Sequence, residues 1–160
     1  MSSYYSQPAY KRSKSVKSEH EITLNGPLDV VGSVKSGSSI NLNNDVIVRE
    51  KLDAYGAIGL NGNITCEGKV QAYGTITVNG YTMVNDKIKG RGKLRVNGTL
   101  MGTDLEIYGN ITITGHLRCR RLVAYGNITL IGSDSSYYAE EAEQVAGTVM
   151  IREAEPDWEY

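Results

Sequence analysis

Aliphatic residues recur at every sixth position from Ile22 through Leu28, Val34, Ile40, Val46, Leu52, Ile58, Ile64, Val70, Ile76, Ile88 and Leu94 to Leu100, with Thr82 the one exception. The frame slips by one residue to Leu105, Ile111 and Leu117, and by one more to Leu122 and Ile128. A second apolar or small residue follows two positions after nearly every aliphatic one, and Gly stands four positions after it in 13 of the 19 hexads. Side chains at i and i+2 share one face of an extended strand, and the Gly marks where the chain turns. A helix does not suit this pattern, because each interior Gly would cost about 1 kcal/mol relative to Ala. Hairpins in a sandwich would have longer strands and less uniform turns. Short strands of period six, each with one inward face, predict an all-β fold: a single-stranded parallel β-helix with a triangular coil of 17–18 residues.

Three hexads per coil align residues about 18 apart. Tyr55, Tyr73, Arg91, Tyr108 and Tyr125 fall in one such column, and Asn25, Asn43, Asn61, Asn79 and Asn97 in another. The third corner, with Val31, Arg49, Glu67, Asn85, Thr103 and Arg120, has no uniform chemistry. Inward positions leading to the Tyr corner are mostly small (Ser36, Ala54, Ala72, Gly90, Ala124), whereas those leading to the Asn corner are large. About six coils span residues 21–132, a rod roughly 30 Å long at a strand spacing of about 4.8 Å. Cys66 and Cys119 share an inward column about three coils, or roughly 14 Å, apart, too far for a disulfide.

Charge changes the picture at the two ends. The chain of 160 residues has a formal net charge of −1. Residues 1–20 nevertheless carry Lys11, Arg12, Lys14 and Lys17 against Glu19, while residues 133–160 carry eight acids and the single base Arg152. Residues 1–20 are Ser- and Tyr-rich without apolar periodicity and are expected to form a disordered tail, either a solubilising one or a basic arm with weak membrane affinity. Residues 133–160 are expected to be an acidic tail with a short helix at 138–146 and a strand at 148–152. The first twenty residues lack the apolar core of a signal peptide, which points to the cytoplasm.

Candidate chemistry is sparse. His20 and His116 are the only histidines, so a three-His zinc site cannot form. An acyltransferase-like enzyme on this scaffold would need His116 as its base, yet its neighbours supply no carboxylate to orient it and no long insertion builds a pocket. His116 reads more simply as a solvated turn residue. No cofactor site is expected. The strongest candidate partner surface is the basic stretch with Lys87, Lys89, Arg91, Lys93 and Arg95, together with Arg120, Arg121 and the Tyr column. Arg91 would stack between Tyr73 and Tyr108. A basic face that meets the acidic C-terminal segment, of the same or another copy, is at least as good a reading as nucleic-acid binding, for which the charge balance argues poorly. Client proteins would be engaged through the tails.

A solenoid's ends expose strand edges and a section of apolar core, which must be capped or paired. The expected end contacts are Ile22, Leu24, Leu28 and Val30 at one end and Leu122, Ile128 and Leu130 at the other.

The uninterrupted hexads, with phrases such as "GKVQAYGTITVNG" and "LRVNGTLMG" over about residues 21–132, resemble the bactofilins, a family of polymer-forming cytoskeletal proteins. That resemblance implies a right-handed β-helix that assembles end to end, without nucleotide, into non-polar filaments that scaffold other proteins, often at a membrane. The chain departs from the family in having no Phe for an aromatic end contact and no apolar membrane-targeting peptide at its start. A capped monomeric or small-oligomeric β-helix that binds protein partners is the alternative expectation, and an enzyme the remote one.

Overall fold

A computed structural model of the chain describes residues 10–153. They form a parallel β-solenoid of about eight turns, without any helix. The first turn contains β1 (Lys11–Ser13), β2 (Val16–Ser18) and β3 (Ile22–Asn25), and the second begins with β4 (Leu28–Val30) and β5 (Val34–Ser36). Long strands that run through one corner then alternate with short ones: β6 (Ile40–Val48), β7 (Leu52–Ala54), β8 (Ile58–Cys66), β9 (Val70–Ala72), β10 (Ile76–Val84), β11 (Ile88–Gly90), β12 (Leu94–Met101) and β13 (Asp104–Ile107). The long β14 (Ile111–Ala124), then β15 (Ile128–Ile131), β16 (Ser136–Val145) and β17 (Val149–Arg152) complete the rod. Every pairing is parallel, and each hexad aliphatic lies on its counterpart one turn away, as in Ile40 on Ile58 and Ile58 on Ile76.

The core is this stack of inward columns, buried from Ile22 to Leu130. On the narrow side, Gly90 leaves the space that Ile107 of the next turn enters: a Cβ at residue 90 would lie 3.2 Å from Ile107 Cδ1 and 3.2 Å from Ile76 Cδ1. The large Ile107 thus fills the space left at Gly90, and the section stays packed. Thr82 stands in the column between Ile64 and Leu100, fully buried, and its hydroxyl has no hydrogen-bond partner.

The Asn corner is built from two features. Asn43, Asn61, Asn79 and Asn97 each donate from Nδ2 to the Oδ1 of the Asn one turn before, at 3.0, 3.0, 2.8 and 3.0 Å. The residue after each turns the chain with positive φ: Asn44 at 72°, Gly62 at 106°, Gly80 at 113° and Gly98 at 127°. Side chains are disfavoured there, and Asn tolerates this region better than most residues.

Two expectations for the ends are corrected. Residues 11–18 are not a disordered arm, because β1 and β2 add a turn on β4 and β5, with Lys11 opposite Leu28 and Val16 opposite Val34. Residues 138–146 are not helical, because β16 pairs along β14 from His116–Ser136 to Ala124–Val145, with one bulge opposite Arg120. Ladder pairing to an existing sheet edge outweighs the weak propensity of a short, isolated helix. The expected strand at 148–152 is present as β17 on β15. The tail expectations for residues 1–9 and 154–160 lie outside the described residues.

Candidate functional site

The Tyr column forms a continuous stack on one corner. Tyr55 and Tyr73 are parallel within 6° at a centroid distance of 5.4 Å. Arg91 lies 5.2 Å from the Tyr73 ring and 5.4 Å from the Tyr108 ring, and Tyr108 stacks on Tyr125 at 4.8 Å. The guanidinium bridges the two Tyr pairs because its planar cation fits over both aromatic faces.

The basic stretch does not form one surface. Lys87 and Lys89 lie on one side of the rod and share Glu106, at 3.1 and 3.7 Å. Glu106 also accepts from the Tyr108 hydroxyl at 3.0 Å. The hydrogen bond from Lys87 holds the Glu106 carboxyl below its ordinary range, with Tyr108 and Lys89 adding to it. Lys93 and Arg95 fall on the next side, with Arg95 between Thr77 and Thr112. Arg120 and Arg121 sit at another corner, where both meet Glu141, while Arg118 reaches Glu140 at 2.8 Å. The acidic strand β16 therefore meets the basic strand β14 within the same chain.

The third corner, which lacks uniformity in sequence, carries an ion-paired group. Asp29 is 5% exposed and accepts from Arg49 Nε and Nη2, both at 3.0 Å. Arg49 Nη1 also reaches Glu67 at 3.0 Å. The Arg49 hydrogen bonds hold the Asp29 carboxyl below its ordinary range against the opposing effect of burial. Burial raises the Cys66 thiol to about 12 and the Cys119 thiol to about 11, so both are inert.

The expected end residues divide. Ile22 and Leu24 belong to the first turn, but Leu28 and Val30 are covered by Lys11 and Ser13. Leu122, Ile128 and Leu130 are likewise covered, by Glu143, Val149 and Ile151. These five residues are interior, and among the described residues the outermost turns lie one turn beyond them. At the C-terminal end Val149 is 45% and Ile151 76% exposed. The signal for the first turn was Val16, which keeps the six-residue step before Ile22; Lys11, Ser13 and Ser18 on the inward positions beside it concealed it.

His116 borders an open groove of about 590 Å³ with Asp134, Ser135 and Glu153. The turn at residues 132–135, which sequence reasoning passed over as a pocket wall, forms its rim. His116 Nδ1 lies 2.8 Å from Ser136 Oγ, but the two are a register pair of adjacent strands, as His116 and Thr99 are on the other side. No hydrogen bond orients the other ring nitrogen among the described residues, and a hydroxyl–imidazole pair needs that support to act as a nucleophile. No group of His, Cys, Asp or Glu able to hold a metal is present among the described residues. No helix of the described residues is long and apolar enough to cross a membrane.

Comparison of the chain with family models, curated proteins and solved structures gives no match.

Proposed function

We propose that this chain is a structural protein of bactofilin type that polymerises end to end, without nucleotide, into thin filaments that act as a cytoplasmic scaffold. The observation that supports this reading is the open C-terminal turn. The free edges of β16 and β17 and the exposed Val149 and Ile151 present core section and ladder groups that nothing covers among the described residues. Unpaired strand edges over apolar section favour association with another open edge. The Tyr and Arg stack runs along the side, away from the ends, and leaves a surface for client proteins.

Purified protein should form filaments in negative-stain electron micrographs without added nucleotide. Ile151→Glu should leave the far-UV circular dichroism of the rod unchanged and abolish the filaments. Strictly monomeric protein at high concentration would overturn the proposal in favour of a monomeric binding scaffold.

A further inference from the structure

The aromatic column is interrupted next to Tyr55. Gly37 is the equivalent of Tyr55 one turn earlier, because its N–H donates to the Ser18 carbonyl as that of Tyr55 donates to Ser36. With no side chain at residue 37, one face of Tyr55 stacks on Tyr73 and the other is open. Tyr55 is accordingly 63% exposed, against 44% for Tyr73 and 39% for Tyr108. The vacant rung is a notch of about 490 Å³ walled by the open Tyr55 ring, Lys17, Lys35 and Glu19. Lys17 and Lys35 are register partners on adjacent turns. Among the described residues neither pairs with a carboxylate, although Asp53 lies one turn beyond Lys35. Two neighbouring ammonium groups repel, and an anion placed between them relieves the repulsion.

We infer that this notch docks the acidic aromatic segment Asp157, Trp158 and Glu159 of a second copy of the chain, with the Trp158 indole on the open face of Tyr55 and the flanking carboxylates at Lys17 and Lys35. Residues 154–160 lie outside the described residues and read Ala-Glu-Pro-Asp-Trp-Glu-Tyr, with three acids and no base. A planar ring in the vacant rung continues the stack, as the Arg91 guanidinium does between Tyr73 and Tyr108. The walls of the notch carry two lysines against Glu19, so an acidic partner complements them.

The segment comes from another copy because its own chain cannot deliver it. From Gly37 the corner column steps through Tyr55, Tyr73, Arg91, Tyr108 and Tyr125 to Ala146 in the last turn. Those steps add up to about 29 Å at about 4.8 Å per turn. Trp158 follows Glu153, also in the last turn, by five residues, which span at most about 18 Å. A second opening in the column lies over Tyr125, where Ala146 is the next rung. It suits an acidic segment poorly, because its flank carries Val123 and Gln144 in place of lysines, with Glu143 beside them. Each copy has one notch and one such segment, so the contact either closes reciprocally between two copies or ties the sides of neighbouring filaments together. It does not depend on the filament reading.

Trp158 is the only Trp of the chain, so its fluorescence reports the contact directly. In the non-assembling Ile151→Glu background, a donor with Tyr55→Ala keeps Trp158 and lacks the ring, while a receiver with Trp158→Ala keeps the notch and has no Trp emission. Tyr55 is exposed, so its removal leaves the core intact. Titrating the receiver into a fixed amount of donor should move the Trp158 emission to shorter wavelength and saturate, as the indole leaves water. Lys17→Glu and Lys35→Glu in the receiver should each weaken the apparent affinity by about tenfold, and the loss should shrink as salt is raised. Emission that stays at the wavelength of a solvated indole up to millimolar receiver overturns the inference. A shift that survives Tyr55→Ala in the receiver overturns it too, by placing the contact elsewhere. So does a shift already present in dilute donor alone and abolished by Tyr125→Ala, which would put the segment on its own chain. Filaments of the parent protein are scored by microscopy, so failure of this contact and failure of polymerisation are told apart.

Discussion

Replacing Thr82 with Val should stabilise the rod, although Thr82 is already fully buried. Its hydroxyl has lost water and gained no partner. An unsatisfied buried hydroxyl costs about 1–3 kcal/mol. Valine keeps the branched shape and substitutes a methyl for the hydroxyl. The site accepts it, because the neighbours in the same column are Ile64 and Leu100, both larger than Val and both at most 1% exposed. The gain should therefore be about 1–3 kcal/mol, which for a chain of this length corresponds to about 3 °C in Tm for each kcal/mol. Urea unfolding of the non-assembling Ile151→Glu background, with and without Thr82→Val, measures it: the midpoint should rise while the slope stays constant. Thr82→Ser supplies the control, since it keeps the unsatisfied oxygen and removes a packed methyl, and it should lose about 1 kcal/mol. A Val variant whose midpoint is unchanged or lower would refute the reasoning and show that the hydroxyl is satisfied in solution.

Acid should weaken the fold through Asp29 and Glu106. Both carboxyls have folded pKa values below their unfolded ones, so their contribution is present above about pH 4 and is lost as pH falls through the lowered folded values. In Arg49→Gln, Asp29 keeps its burial and loses the guanidinium that lowers its pKa, so stability near neutral pH should fall and the acid-side loss of urea stability should become smaller; superimposable pH profiles would rule this out. The thiols offer a simpler check: an aromatic disulfide reagent at mild pH should titrate neither Cys66 nor Cys119 in the native rod and both in denaturant, and rapid native labelling would contradict their burial.

The middle of the rod was legible because every turn repeats the same demand: an inward aliphatic, a small or apolar partner, a corner. Even the one-residue slips after Leu100 and Leu117 could be read, since the column resumes at once. Arg91 could be placed between Tyr73 and Tyr108 by the same counting. Of the end turns only the strands at Ile22–Asn25 and Val149–Arg152 were legible, because an end turn packs on one side only and tolerates Lys11, Ser13, Ser18 and Glu143 where an interior turn needs aliphatics. In residues 138–146, Ala139, Ala142 and Val145 also mimic helical spacing. Spacing alone cannot show that β14 offers an edge to pair with. The Asp29 and Arg49 ion pair was hidden for another reason. Its members stand 20 residues apart and come together diagonally across adjacent turns, outside the columns that counting reveals.

The uniform register has a consequence for size. Every interior turn touches only its two neighbours through the same ladder, so a turn can be added or removed without changing either end. Duplicating a segment such as residues 58–75 would lengthen the rod by one step of about 4.8 Å and leave the faces at Lys11 and Ile151 as they are. The length of the unit is in this sense quantised, and the repeat count sets the spacing at which its side-bound partners would recur along a polymer.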